Sequence, residues 1–178
     1  HFSNAKAAGV VSFIYLGWAI GGFMVGWISN KLRSRRLPIT VGSLVAASLL
    51  SLVFLTPGWS GVTVSLIFLV FGIFSSAQVL TFTIGREISS TKSAGTAIAL
   101  TNMFIMIGGA LLQPMVGIVL DWLWDGTIVD GLHVYSTANF QVALSVLPAG
   151  LLLSVILSFF LKESFCRVTH GEAPVAAK

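Results

Sequence analysis

The chain has 178 residues, of which 56% are hydrophobic and only 9% charged, and its formal net charge is +4. A soluble domain carries about 25% charged residues, so this chain cannot cover its surface with charge and its solvent is lipid. The positive balance does not make a nucleic-acid interface, because the basic residues sit in short connections between apolar runs and form no continuous basic face.

A spanning helix needs roughly 20 apolar residues. Five segments qualify: residues 7–28, 37–56, 62–85, 94–123 and 140–161. Membrane β-strands are excluded because the apolar runs are continuous and far too long. The expected architecture is an all-α polytopic membrane protein, with residues 1–178 forming one bundle of five transmembrane helices.

The first segment carries Gly17, Gly21, Gly22 and Gly26. Gly17/Gly21 and Gly22/Gly26 are small-xxx-small pairs, which let another helix approach closely. Tyr15 and Trp18 share a face with Gly22. They offer a solute hydrogen bonding or stacking, although an aromatic on a membrane helix also simply packs.

The connections alternate in charge. The first holds Lys31, Arg33, Arg35 and Arg36, and the second, Pro57 to Gly61, holds no charge. The third holds Arg86, Glu87 and Lys92, whereas the fourth has Asp125, Asp130 and His133 but no Lys or Arg. The tail holds Lys162, Arg167 and Lys178, and only Lys6 falls on the other side. Positive residues stay cytoplasmic, so the N-terminus is expected outside and the C-terminus inside. Trp59, Trp122, Trp124 and Tyr135 then sit at the outer interface, where aromatic belts belong.

No ionisable residue falls in the middle of any segment, so no proton relay of the usual intramembrane kind is visible. There is no His/Cys/Asp cluster for a metal and no nucleophile–base pair, and no cofactor is expected. The single cysteine, Cys166, excludes an internal disulfide. What remains is uncharged and polar. Gln78 shares a broad face with Ser75, Thr81 and Phe82 on the third segment. On the fourth, Asn102 and Gln113 return to one face about 16 Å apart. Buried amides need partners, whether a solute, water or a neighbouring helix. Pro114 and Pro148 should bend their helices, with Gln113-Pro114 the expected bend beside a polar group.

The basic hairpin, the glycine-rich helix before it, and Gly95-Thr96-Ala97, Asn102, Gly108-Gly109, Gln113-Pro114 and Gly117 together resemble the second half of a major facilitator superfamily transporter. Gly26 matches the Gly of the family's signature loop, Ser29 its small residue, Lys31 its basic residue, and Arg35 and Arg36 its basic pair. Asn30 stands where the family has Asp, and Arg33 where it often has Gly; Asn30 can still serve as a polar cap. The resemblance covers the chain and implies helices eight to twelve of a twelve-helix fold. It places the first, third and fourth helices partly around a midplane solute cavity, with the second and fifth facing lipid or supporting them. It also implies that Glu87 pairs with Lys31 or Arg35 as a cytoplasmic gate. A solvated Glu87 is the alternative, since exposed pairs contribute only about 0–1 kcal/mol.

The expected function is transport of a small solute by alternating access, with Tyr15, Trp18, Gln78, Asn102 and Gln113 as cavity candidates. The alternative is a non-transporting membrane protein such as a channel subunit or scaffold, and an enzyme is not expected. His1 to Lys6 show no initiator Met and no leader, so the chain reads as a fragment. Its expected partners are the bilayer, the missing N-terminal half and the solute, in a bacterial inner membrane.

Overall fold

The computed structural model describes residues 4–56, 58–129, 132–163 and 165. His1, Pro57, Asp130, Cys166, Arg167 and Lys178 lie outside the described residues. Within them, five helices are long and apolar enough to cross a membrane. The first two spans are α1 (Asn4–Leu32) and α2 (Arg36–Leu55). The third is built from α3 (Gly61–Ser75), a 3₁₀ turn (Ser76–Val79) and α4 (Leu80–Glu87). The fourth is α5 (Ala94–Trp122), and the fifth combines α6 (Thr137–Leu144) with α7 (Val146–Ser158). Outside the spans, β1 (Ile128–Val129) and β2 (Leu132–His133) form a small antiparallel hairpin between α5 and α6.

Lipid is as apolar as leucine, so close backbone packing and hydrogen bonds hold membrane helices together. The tightest seam runs between α1 and α3. A Cβ added at Gly17 would collide with the Leu69 carbonyl, and one at Gly72 with the Ile14 carbonyl. Gly21 faces Ile73 and Ser76 just as closely. Gly22 and Gly26, the other small pair, have nothing near a would-be Cβ, so only one of the two glycine pairs makes a helix contact. On α2, Gly42 is set against Phe74 and Ala77. A small apolar core of Val25, Ile39, Ala77, Leu80 and Ile84 closes the junction of these helices.

The α2–α7 seam uses hydroxyls. Thr40 and Ser158 hydrogen-bond at 2.7 Å, and Ser43 and Ser154 at 3.2 Å. The Gln141 side-chain amide donates to the Phe54 carbonyl at 2.6 Å. By contrast α5 contains no buried residue.

The third and fifth spans are interrupted, the one beside hydroxyls and the other beside a proline. α5 continues as one helical segment through Pro114. The third span has no proline, yet it tightens to 3₁₀ at Ser76–Val79. Ser75 and Ser76 donate to the carbonyls of Gly72 and Ile73, and Thr81 to that of Gln78. Such back-bonding competes with the helical ladder and bends it. In the fifth span the helix breaks at Ser145, and Pro148, where an interruption was expected, lies in the first turn of α7.

Candidate functional site: a buried charge network at the basic end

The hairpin between α1 and α2 turns within a few residues. Arg33 adopts φ 50°, a left-handed conformation that favours glycine; this is the position where the resembling family often has Gly. The turn is closed by backbone hydrogen bonds from Arg33 to Asn30 and from Ser34 to Ser29.

The turn drives Arg35 into the bundle. Its guanidinium meets the Glu87 carboxylate through two hydrogen bonds, Nη2 to Oε1 at 2.7 Å and Nε to Oε2 at 3.3 Å. The same guanidinium donates through Nη1 to Ser29 Oγ and Asn30 Oδ1, both at 2.8 Å. Ser29 Oγ in turn donates to the Ser34 carbonyl at 2.8 Å. Both members of the ion pair are only 6% exposed. Of the two partners weighed for Glu87 it is Arg35 that pairs, and the carboxylate is buried and not solvated. Asn30 accepts from Arg35 and caps no helix. Lys31 lies with Nζ 5.0 Å above the Trp27 ring. A buried ion pair is sustained only when further hydrogen bonds satisfy the remaining donors; Ser29 and Asn30 supply them here.

A second carboxylate completes the network. Glu163, beyond α7, accepts from Ser34 Oγ at 2.6 Å and from the backbone N–H groups of Arg35 at 3.0 Å and Arg36 at 2.9 Å. Arg35, at the N-cap of α2, makes no side-chain cap of its own. Glu163 therefore satisfies helix-start donors that would otherwise be left open, and its charge complements the positive end of the helix dipole. Burial opposes its ionisation. The bonds from Ser34, Arg35 and Arg36 and the Arg36 charge outweigh that and hold its pKa below the usual carboxylate value. The Arg36 guanidinium lies 4.7 Å from the centre of the Phe159 ring. Sequence reasoning missed Glu163 because nothing local distinguishes one acid after the last apolar run; its partners lie more than a hundred residues upstream.

The cavity candidates do not converge. Gln78 lines two adjoining clefts, one of about 530 Å³ walled by the second to fifth spans and one of about 750 Å³ to which all five spans contribute. Trp18 lines the larger one, with Ser75 and Thr81. Asn102 and Gln113 line neither cleft and are exposed on α5, whose Thr101, Phe104, Ile105 and Leu112 face the clefts instead. Tyr15 is 73% exposed and Gly26 has open space beside it. At the far end the loop's polar contacts are local, and the Gln141–Phe54 bond alone among those named joins distant spans. Tyr135 donates to Asp121 at 2.6 Å, which raises its pKa, and the Trp124 and His133 rings stack at 3.8 Å. Among the described residues there is no group of three or more metal-ligating side chains.

The family model of the Major Facilitator Superfamily matches residues 1–112, the part that carries the hairpin, Arg35 and Glu87. No curated protein and no solved structure matches the chain. With five membrane-length helices and a match over more than half its length, the chain belongs to the major facilitator superfamily of membrane transporters.

Proposed function

We propose that this chain is the C-terminal part of a secondary transporter, acting in transport and not as an enzyme, that carries a small solute by alternating access. The observation that carries this reading is the buried Arg35–Glu87 pair, which ties the ends of the first, second and third spans at one point. A latch works only if its contacts differ between states. A buried pair is suited to this, because breaking it without compensation is strongly unfavourable, so the bundle holds one arrangement until another supplies new partners. The positive-inside rule puts this network in the cytoplasm, together with the C-terminus. A bacterial inner membrane is the setting we assign, and the N-terminal half of the transporter is the missing partner.

The exposed faces support where that half packs. Asn102 and Gln113 lie on the exposed side of α5, and Tyr15 on the exposed side of α1. An amide left in hydrocarbon without a partner costs several kcal/mol. We therefore assign Tyr15, Asn102 and Gln113 to a polar passage completed by the other half, with Trp18 and Gln78 lining clefts behind it. The 3₁₀ turn beside Gln78 is a natural flexing point of the third span. The test is solute uptake by the intact transporter in vesicles across a chemically varied panel. Saturable uptake is expected, with Gln113→Leu raising KM while membrane insertion is unchanged. No saturable uptake of any solute would favour a non-transporting role.

A further inference from the structure

At the basic end α1 and α2 diverge from the hairpin, and α3 fills the space behind them because Gly21 and Gly42 let it approach. A groove of about 230 Å³ remains between the two helices. Ile28 and Leu32 form one wall, Leu37 and Val41 the other, and Phe74 and Ala77 the floor. Every residue lining it is apolar, and Leu32, Leu37 and Val41 are exposed at its edges.

Its dimensions narrow the occupant. On α1 the lining runs from Gly21 to Leu32, about 16 Å along a helix axis. That is about half of the ~30 Å hydrocarbon core, the depth of a single leaflet. A transmembrane helix needs a groove of full membrane length. A polar solute needs at least a few polar groups, and drug-sized sites begin near roughly 300 Å³. A lipid acyl chain matches on length and polarity.

Charge sets the headgroup. Lys31 and Arg33 flank the groove residue Leu32, both exposed, and Lys31 is held above Trp27. Arg36, beside Leu37, is partly balanced by Glu163. Basic pockets between membrane helices attract anionic lipid headgroups. We propose that this groove binds an anionic phospholipid, with one acyl chain between α1 and α2 and the phosphate on Lys31 and Arg33. The site depends on the membrane setting alone and is independent of the transport reading.

The test is native mass spectrometry of the purified full chain with phosphatidylglycerol or phosphatidylcholine of identical acyl chains. Phosphatidylglycerol should be retained about thirtyfold better, in line with two surface cations. Lys31→Gln with Arg33→Gln should bring it to the phosphatidylcholine level. Val41→Trp, which fills the groove and leaves the charges intact, should lower retention of phosphatidylglycerol with helical content unchanged. If a variant fails to fold, phosphatidylglycerol with a photoreactive acyl chain, cross-linked to the unaltered protein, should label residues 24–41. Equal retention of the two lipids, displacement by excess inorganic phosphate, labelling elsewhere, or cross-linking of a protein segment into the groove would each overturn the proposal.

Discussion

At the basic end of the bundle, Arg35 and Glu87 are paired inside the protein and Glu163 caps the start of α2 from beyond α7. At the opposite end, Tyr135 and Asp121 are bonded in the open, fourteen residues apart, and Trp124 donates to the nearby Thr127 carbonyl at 3.0 Å. The basic end therefore joins three spans and the segment beyond α7 through charged groups, while the other end stiffens one loop and ties two spans by the single neutral Gln141–Phe54 bond. Dielectric sharpens the contrast, since a charge pair excluded from water interacts far more strongly than an exposed one. The first end is built to hold several spans in one arrangement, and the second leaves them freer to part. The fourth span joins neither seam tightly: α5 has no buried residue.

The largest expected effect follows from removing one member of the buried pair. Glu87→Ala leaves the Arg35 guanidinium buried without its carboxylate, which costs about 3–5 kcal/mol. Thermal unfolding in detergent, followed by circular dichroism, should show a clear drop in Tm. An unchanged Tm would mean that the pair is solvated in practice and that the two ends do not differ.

Glu163 should have an intermediate effect. Glu163→Ala removes the cap of α2, worth roughly 0.5–2 kcal/mol for a capping side chain. The pH dependence has a definite sign. A carboxylate whose folded pKa is depressed stabilises the fold fully above its unfolded value, for which 4.5 is the reference here, and that contribution is lost as pH falls toward the folded value. Stability should therefore fall as pH drops below about 4.5, and Glu163→Gln should flatten this acid limb. Identical acid limbs in the two proteins would remove Glu163 from the network.

The smallest effect is expected at the far end. Tyr135→Phe deletes an exposed hydrogen bond to Asp121 and should cost no more than about 1 kcal/mol. A loss as large as that of Glu87→Ala would erase the contrast between the ends.

Much of the fold was legible because continuous apolar length is a strong and local signal. The five spans follow from it directly, whereas small-xxx-small spacing marked two glycine pairs of which only Gly17/Gly21 makes a contact. The candidate site was legible only in part. The hairpin marked Arg35, and the family resemblance pointed to Glu87. Burial of the pair was not readable, because it depends on how far the turn at Arg33 swings the next residue inward. Glu163 was invisible for a related reason, since a cap delivered across the fold leaves no spacing in the sequence. Bends were expected only at Pro114 and Pro148, so the 3₁₀ turn in the third span was not foreseen; it carries no proline and comes with the adjacent hydroxyls of Ser75 and Ser76. The facing of Asn102 and Gln113 could not be fixed from helical periodicity alone, which groups residues on a face without saying what that face meets.

The central claim is that Arg35 and Glu87 hold one conformation of the transporter through their mutual contact. The most direct measurement is a charge-swap cycle in the intact transporter, read as the ratio of inward to outward accessibility at cysteines placed at Lys92 and Val134. Glu87→Lys and Arg35→Glu should each shift that ratio, and the double swap should bring it back toward the starting value, the coupling expected of residues in contact. If the two single changes simply add in the double variant, Arg35 and Glu87 do not act on each other and the latch does not exist.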